Sequence, residues 1–210
     1  MTPPRPPATE SLPELGGRGF EVAARVSRLT ARPARWEDCE VIAADIRAAD
    51  AAEIAADHLE DVTPLEALRL SYQRSPKPMT FEADGIPLAM AGLCPCEDAP
   101  GIWCAWLLGA NGLERHKLSF LRVVRDELVN QVKKRSERVT KLYNLVPPSY
   151  DRALSWLAWL GFTVQGEAES PGKARFLVLV LECDGGWQED VVRPRGSLHR
   201  PRGDQATAHP

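Results

Sequence analysis

The sequence predicts an α/β fold: a central, mostly antiparallel mixed sheet with helices on both faces. Three stretches carry that expectation. Asp84-Gly85 stands between two apolar runs, residues 79–83 and 86–93, which is a strong hairpin signal. Ile102-Trp103-Cys104-Ala105-Trp106-Leu107-Leu108 is apolar almost without interruption, as a central strand covered on both faces should be. Leu118, Leu121, Val124, Leu128 and Val132 recur at helical spacing within a long segment, residues 113–135, forming one apolar stripe.

The remaining elements fill in around these three. Residues 28–35 read as a first strand, and Pro33 places it at or near an edge, since proline donates nothing to a ladder. Glu37 and Asp38 suit a helix start, and one helix is expected from there to about Asp57, with Ile42, Ile46 and Ala49 on its inner side. Thr63-Pro64-Leu65-Glu66 signals another: a cap, a proline in the first turn and an early glutamate. Strands follow at residues 139–146 and 175–181. Between them Pro147 and Pro148 stop further ladder pairing, Ser149 can cap a short helix, and Gly161 can end it in the left-handed conformation. That helix is apolar on almost every side, so it needs neighbours all round. The expected core is Ile42, Leu88, Met90, Trp106, Leu108, Leu121, Val124, Leu128, Leu154, Leu157, Phe176 and Val178.

The 210 residues suit one domain with tails. Residues 1–26 hold a proline cluster and read as an arm, residues 27–183 as the folded domain, and residues 184–210 as a basic, Gly/Pro-rich tail. The formal net charge of −3 implies no bulk attraction to nucleic acid. Neither a leader pattern nor a membrane-length apolar run is visible, so no signal peptide and no membrane association are expected. The five cysteines, Cys39, Cys94, Cys96, Cys104 and Cys183, lack zinc or redox spacing and read as small buried thiols, with no metal expected.

Val146, Ala153, Gly161 and Phe162, with the order of elements around them, resemble the C-terminal half of the GNAT fold, the Gcn5-related N-acetyltransferases. In that pattern Tyr150 stands where an asparagine belongs, and Leu157 where many members carry an acid tyrosine. The resemblance implies an acetyl-CoA pyrophosphate on backbone N–H groups at the start of the long helix, so Leu108, Gly109, Gly112 and Arg115 are the cofactor-binding candidates. Gly112 is alone there, and Glu114 places a negative charge where the pyrophosphate would lie. Tyr150 and His116 are the catalytic candidates.

Residues 86–92, the tryptophan strand, the long helix and Leu142-Tyr143-Asn144 with Val146 are similar to a narrower group, the GNAT-like internal virion proteins of short-tailed bacteriophages. This similarity implies a virion structural or assembly protein, made in the host cytoplasm, without acetyltransferase chemistry and without a cofactor. Its partners would be other virion proteins in an oligomeric assembly, met through Trp156, Trp159 and the tail arginines Arg193, Arg195, Arg200 and Arg202. Those arginines also offer nonspecific contact with nucleic acid. The alternative is an active acetyl-CoA-dependent N-acyltransferase.

Overall fold

A computed structural model describes residues 28–57, 62–134, 139–170 and 173–183. The arm at residues 1–26 and the tail at residues 184–210, with Arg193, Arg195, Arg200 and Arg202, lie outside the described residues. The strands are β1 (Leu29–Pro33), β2 (Met79–Ala83), β3 (Ile86–Pro95), β4 (Ile102–Gly109), β5 (Lys141–Val146), β6 (Thr163–Glu169) and β7 (Arg175–Glu182). They form one sheet in the order β1-β2-β3-β4-β5-β7-β6. Every neighbouring pair is antiparallel except β4 and β5. The helices are α1 (Asp38–Ala44), α2 (Ala48–Asp57), α3 (Pro64–Arg74), α4 (Lys117–Lys133) and α5 (Asp151–Trp159), with a 3-10 turn, Asn111–His116, before α4. No helix of the described residues is long and apolar enough to cross a membrane.

Local chemistry explains most of these boundaries. Asp84 and Gly85 both take positive φ, 51° and 78°, the primed hairpin turn that matches strand twist. Thr63 and Glu66 form a reciprocal capping box at α3, with Pro64 in its first turn. Gly161 has φ 97° and turns α5 into β6. α1, α2 and α3 cover one sheet face through Ile42, Ile54, Leu68, Met90 and Leu108. α4 and α5 cover the other, around Phe81, Phe120, Val124, Leu142, Leu157 and Leu179.

Four expectations need correction. The helix expected over residues 37–57 is two helices, because the chain breaks at Asp45–Arg47 to bond the end of β4. Leu118 is 75% exposed. At 100° per residue it lies roughly 120° round the helix from buried Val124, and Phe120 holds the inner face instead. Ser149 does not cap α5; Tyr150 occupies that position with no side-chain cap bond. α5 is not enclosed all round, since Ser155 and Ala158 are exposed while Leu157 is buried.

Ile42, Leu88, Met90, Leu108, Val124, Leu157 and Phe176 are buried as expected. Trp106, Leu121, Leu128, Leu154 and Val178 are half-buried, Trp106 and Leu121 because they line a cavity. Of the cysteines only Cys39 is fully buried; the other four are half-buried, and all five are free thiols.

The edge strand β1 is tied to α1 by charge. Arg32 grips both oxygens of Asp38 at 2.7 and 2.9 Å and reaches Glu82 at 2.7 Å. Asp38 also accepts from the Arg35 N–H and the Thr80 hydroxyl. Burial works to raise the Asp38 carboxyl, but Arg32, Thr80 and the Arg35 N–H outweigh it and hold it below the ordinary carboxylate range. We expect Asp38→Asn to cost about 2–4 kcal/mol in urea unfolding at neutral pH, because Arg32 and Thr80 lose their acceptor. A depressed folded value stabilises above the unfolded carboxylate pKa of about 4 and loses that effect as pH falls through the folded value. The gap between wild type and variant should therefore narrow at about pH 3, and a gap constant with pH would contradict the assignment.

Candidate active site

The parallel pairing of β4 with β5 covers only Ile102–Lys141, Trp103–Leu142 and Cys104–Tyr143. Beyond it the strands part. The Asn144 side chain reaches across to the Ala105 carbonyl at 2.6 Å, a side-chain bond where the backbone ladder has ended. Along β4, Ala105 and Gly109 turn their backbone groups away from β3, since the Ala105 carbonyl accepts from Asn144 and the Gly109 N–H donates to Asp50. Strand alternation gives Leu107, midway between them, the same direction. Its N–H and carbonyl face the gap.

That gap opens into a cavity of about 970 Å³. Leu70 and Ser71 of α3 line it on one sheet face, and Phe120, Trp156 and Leu157 on the other, so it passes through the sheet between β4 and β5. The β6–β7 hairpin closes onto the end of α2, where the Ser170 hydroxyl donates to the Ala56 carbonyl at 2.8 Å. The Trp156 indole N–H is buried with no hydrogen-bond partner among the described residues.

A buried ion pair fixes one wall. Asp50, 2% exposed, accepts two bonds from Arg47, both 2.9 Å, and the Gly109 N–H at 2.8 Å. The Tyr150 hydroxyl also donates to it, at 3.3 Å. The chain break before α2 makes this possible: the Arg47 N–H donates to the Gly109 carbonyl, and the Asn111 N–H to that of Asp45. A Cβ on Gly109 would lie 3.2 Å from the Arg47 guanidinium, so this glycine admits the arginine. Burial pushes the Asp50 carboxyl up against the pull of Arg47. Burial also pushes the Tyr150 phenol up to about 12, helped by Asp50, so it keeps its proton at neutral pH. Tyr143, across the cavity, is raised by burial as well.

The loop before α4 is differently built from a phosphate cradle. The Gly109 N–H bonds Asp50, Ala110 bonds the Leu88 carbonyl, Asn111 that of Asp45, and Leu113 that of Ala110. A Cβ on Gly112 would meet Leu88 at 2.9 Å, so this glycine serves packing. Glu114 joins Lys117 at 2.9 Å and Arg152 at 2.5 Å.

Of the residues singled out from sequence, Leu108, Tyr150, Trp156 and Trp159 line the cavity. Trp156 packs against Phe120, and Arg125 lies over the Trp159 ring. Gly109 and Gly112 sit in the loop as described. Arg115 is exposed, and half-buried His116 precedes α4; neither lines the cavity. Sequence reading missed Arg47, Asp50, Glu53, Tyr143 and Asn144. Arg47 and Asp50 at i, i+3 were the available signal, hidden by the expectation of one unbroken helix. Among the described residues no group of three His, Cys, Asp or Glu is arranged to hold a metal.

Arg47→Met leaves Asp50 buried without its cation, and we expect a loss of about 3–5 kcal/mol at neutral pH. The Asp50 pKa then rises further. A raised folded carboxylate destabilises as pH climbs through the unfolded value toward the folded one, so the variant should recover stability as pH falls toward about 5. A deficit that grows on acidification would contradict this arrangement.

No protein-family model and no curated protein matches the chain. Solved structures do match in shape. The aminoglycoside acetyltransferase AAC(6')-Ib with ribostamycin and coenzyme A aligns at TM-score 0.55 and 19% identity, over 81% of this chain and 99% of that one. A GCN5-related N-acetyltransferase from Kribbella flavida aligns at 0.55 and 18%, over 73% and 97%. An N-acetyltransferase from Staphylococcus aureus Mu50 aligns at 0.56 and 17%, over 74% and 99%. None of these links the chain to internal virion proteins. Likeness at this identity establishes architecture and leaves activity to be argued from the site. The fold of this chain is that of the GCN5-related N-acetyltransferases.

Proposed function

We propose that the protein transfers an acyl group from a pantetheine thioester to an amine. The observation that carries this is the split between β4 and β5, which opens the sheet into a cavity beside the Leu107 backbone, where β4 has no β5 partner. An extended arm bearing amides suits that stretch, since the Leu107 N–H and carbonyl face the gap with no β5 partner. The buried Trp156 N–H is a further donor awaiting an acceptor; leaving it unmet costs about 1–3 kcal/mol. The structural neighbours include acetyltransferases solved with coenzyme A or acetyl-CoA. The virion role rests on sequence resemblance and has no observation at the site.

When bound, the thioester supplies an activated acyl group. The chain's own residues hold the protons. The Tyr150 hydroxyl, protonated at neutral pH and resting on Asp50 Oδ1, is the acid on the cavity wall: as the amine nitrogen bonds the acyl carbon and the C–S bond breaks, its O–H turns from Asp50 to protonate the departing thiolate, and the proton released by the amine restores the phenol. Asp50 is committed to Arg47 and the Gly109 N–H, so it positions rather than accepts. Glu53, one turn further along α2, lines the same cavity and offers a carboxylate to an incoming ammonium group.

The test is acetyl transfer to a set of amines, read by mass spectrometry. Kanamycin and an alanine-terminated peptide belong in the set, because neighbours carry those names. Both acetyl-CoA and S-acetyl-pantetheine serve as donors. Acetylated product is expected, and no product from any pair would contradict the reading. Tyr150→Phe should lower kcat about 100-fold with KM little changed and the circular dichroism spectrum intact.

A further inference from the structure

Resting on the acyltransfer reading, we infer that the donor is recognised only as far as its pantetheine arm, and that a pyrophosphate and nucleotide beyond it are not held. The donor class is then a pantetheine thioester whose distal end carries no recognised phosphate, whether a free arm or one borne on a carrier protein.

Three independent features of the loop carry this. Four of the five backbone N–H groups at residues 109–113 are spent on protein acceptors: Asp50, Leu88, Asp45 and Ala110. Residues 109–113 therefore offer a diphosphate no row of free donors. The two glycines that would admit one are filled from the protein side. Leu88 stands 2.9 Å from a Cβ built on Gly112, and Arg47 stands 3.2 Å from one built on Gly109. The two cations at the mouth, Lys117 and Arg152, are bridged by Glu114. That carboxylate neutralises both cations, so a phosphate drawn to them must displace it or meet a like charge. The cavity beyond this mouth keeps its volume, its mainly apolar walls and the open β4 edge, so only the phosphate end of the donor lacks a site.

Calorimetry on the purified full chain compares coenzyme A, pantetheine and adenosine 3',5'-bisphosphate. Coenzyme A and pantetheine should bind within about threefold of each other, and the bisphosphate should give no measurable heat. Coenzyme A binding more than about 30-fold tighter than pantetheine would overturn the inference while leaving the acyltransfer reading intact. Failure of both to bind would instead overturn the acyltransfer reading itself. E114Q frees Lys117 and Arg152, so it should tighten coenzyme A about tenfold and leave pantetheine unchanged. No change in either affinity would mean that Glu114 excludes nothing, and would also count against the inference. With transfer as the readout, an acetylated acyl carrier protein outpacing S-acetyl-pantetheine identifies a carrier-borne arm, and equal rates a free one. Either result supports a donor read without its nucleotide.

Discussion

The buried contact of Arg47 and Asp50 with Gly109 is the constraint on which the site depends. One carboxylate joins three walls of the cavity: α2 carries it, the end of β4 donates a backbone N–H to it, and the residue before α5 donates a phenol. A lone carboxylate at 2% exposure would cost several kcal/mol, and Arg47 offsets that cost with two parallel bonds. Such a pair contributes little net stability over an apolar isostere, so its effect here is geometric. It keeps Tyr150 at the cavity wall and holds α2 against the open side of β4. The break between α1 and α2 follows from the same contact, because the Arg47 N–H bonds Gly109 at the end of β4 and the Asp45 carbonyl bonds Asn111 just after it, rather than continuing a helix.

Side chains also set the shape of the split. Asn144 takes over where the β4–β5 ladder stops, and Ser170 draws the β6–β7 hairpin onto α2. Behind β4 the Trp106 indole donates to Ser75 at 2.7 Å, and a Cβ on Gly92 would collide with both groups. Gly92, Gly109 and Gly112 thus all make room for the protein's own side chains. At the last two the neighbours are Arg47 and Leu113 for Gly109 and Leu88 for Gly112.

Much of the fold was legible because local signals were strong and mutually consistent. Asp84-Gly85, the Thr63-to-Glu66 box and Gly161 each fixed a turn or boundary through φ or capping geometry. The apolar run of β4 placed it centrally. What was hidden depended on tertiary contacts. No glycine or proline marks the break at Asp45–Arg47, so its cause, an alliance with residues 109–111, is invisible until the sheet exists. Leu118 fits a stripe at three- and four-residue spacing, but Phe120 buries more surface and sets the rotation of α4. Glu114 read as an unanswered charge, whereas two cations from different elements neutralise it. Tyr150 was recognised as a departure from the family pattern, while its partner Asp50, one hundred residues away, carried only its i, i+3 spacing from Arg47, which does not point to Tyr150.

Together these observations describe an acetyltransferase fold in which the split between β4 and β5 opens into a cavity while the protein's own side chains pack the loop before α4. A crystal structure of the protein with bound pantetheine tests that description most directly. The arm should lie between β4 and β5, bonded to the Leu107 backbone, with its sulfur end toward Tyr150 and its distal end unheld near Glu114. An arm bound outside the split would contradict the account, as would coenzyme A seated with its pyrophosphate on the backbone of residues 109–114.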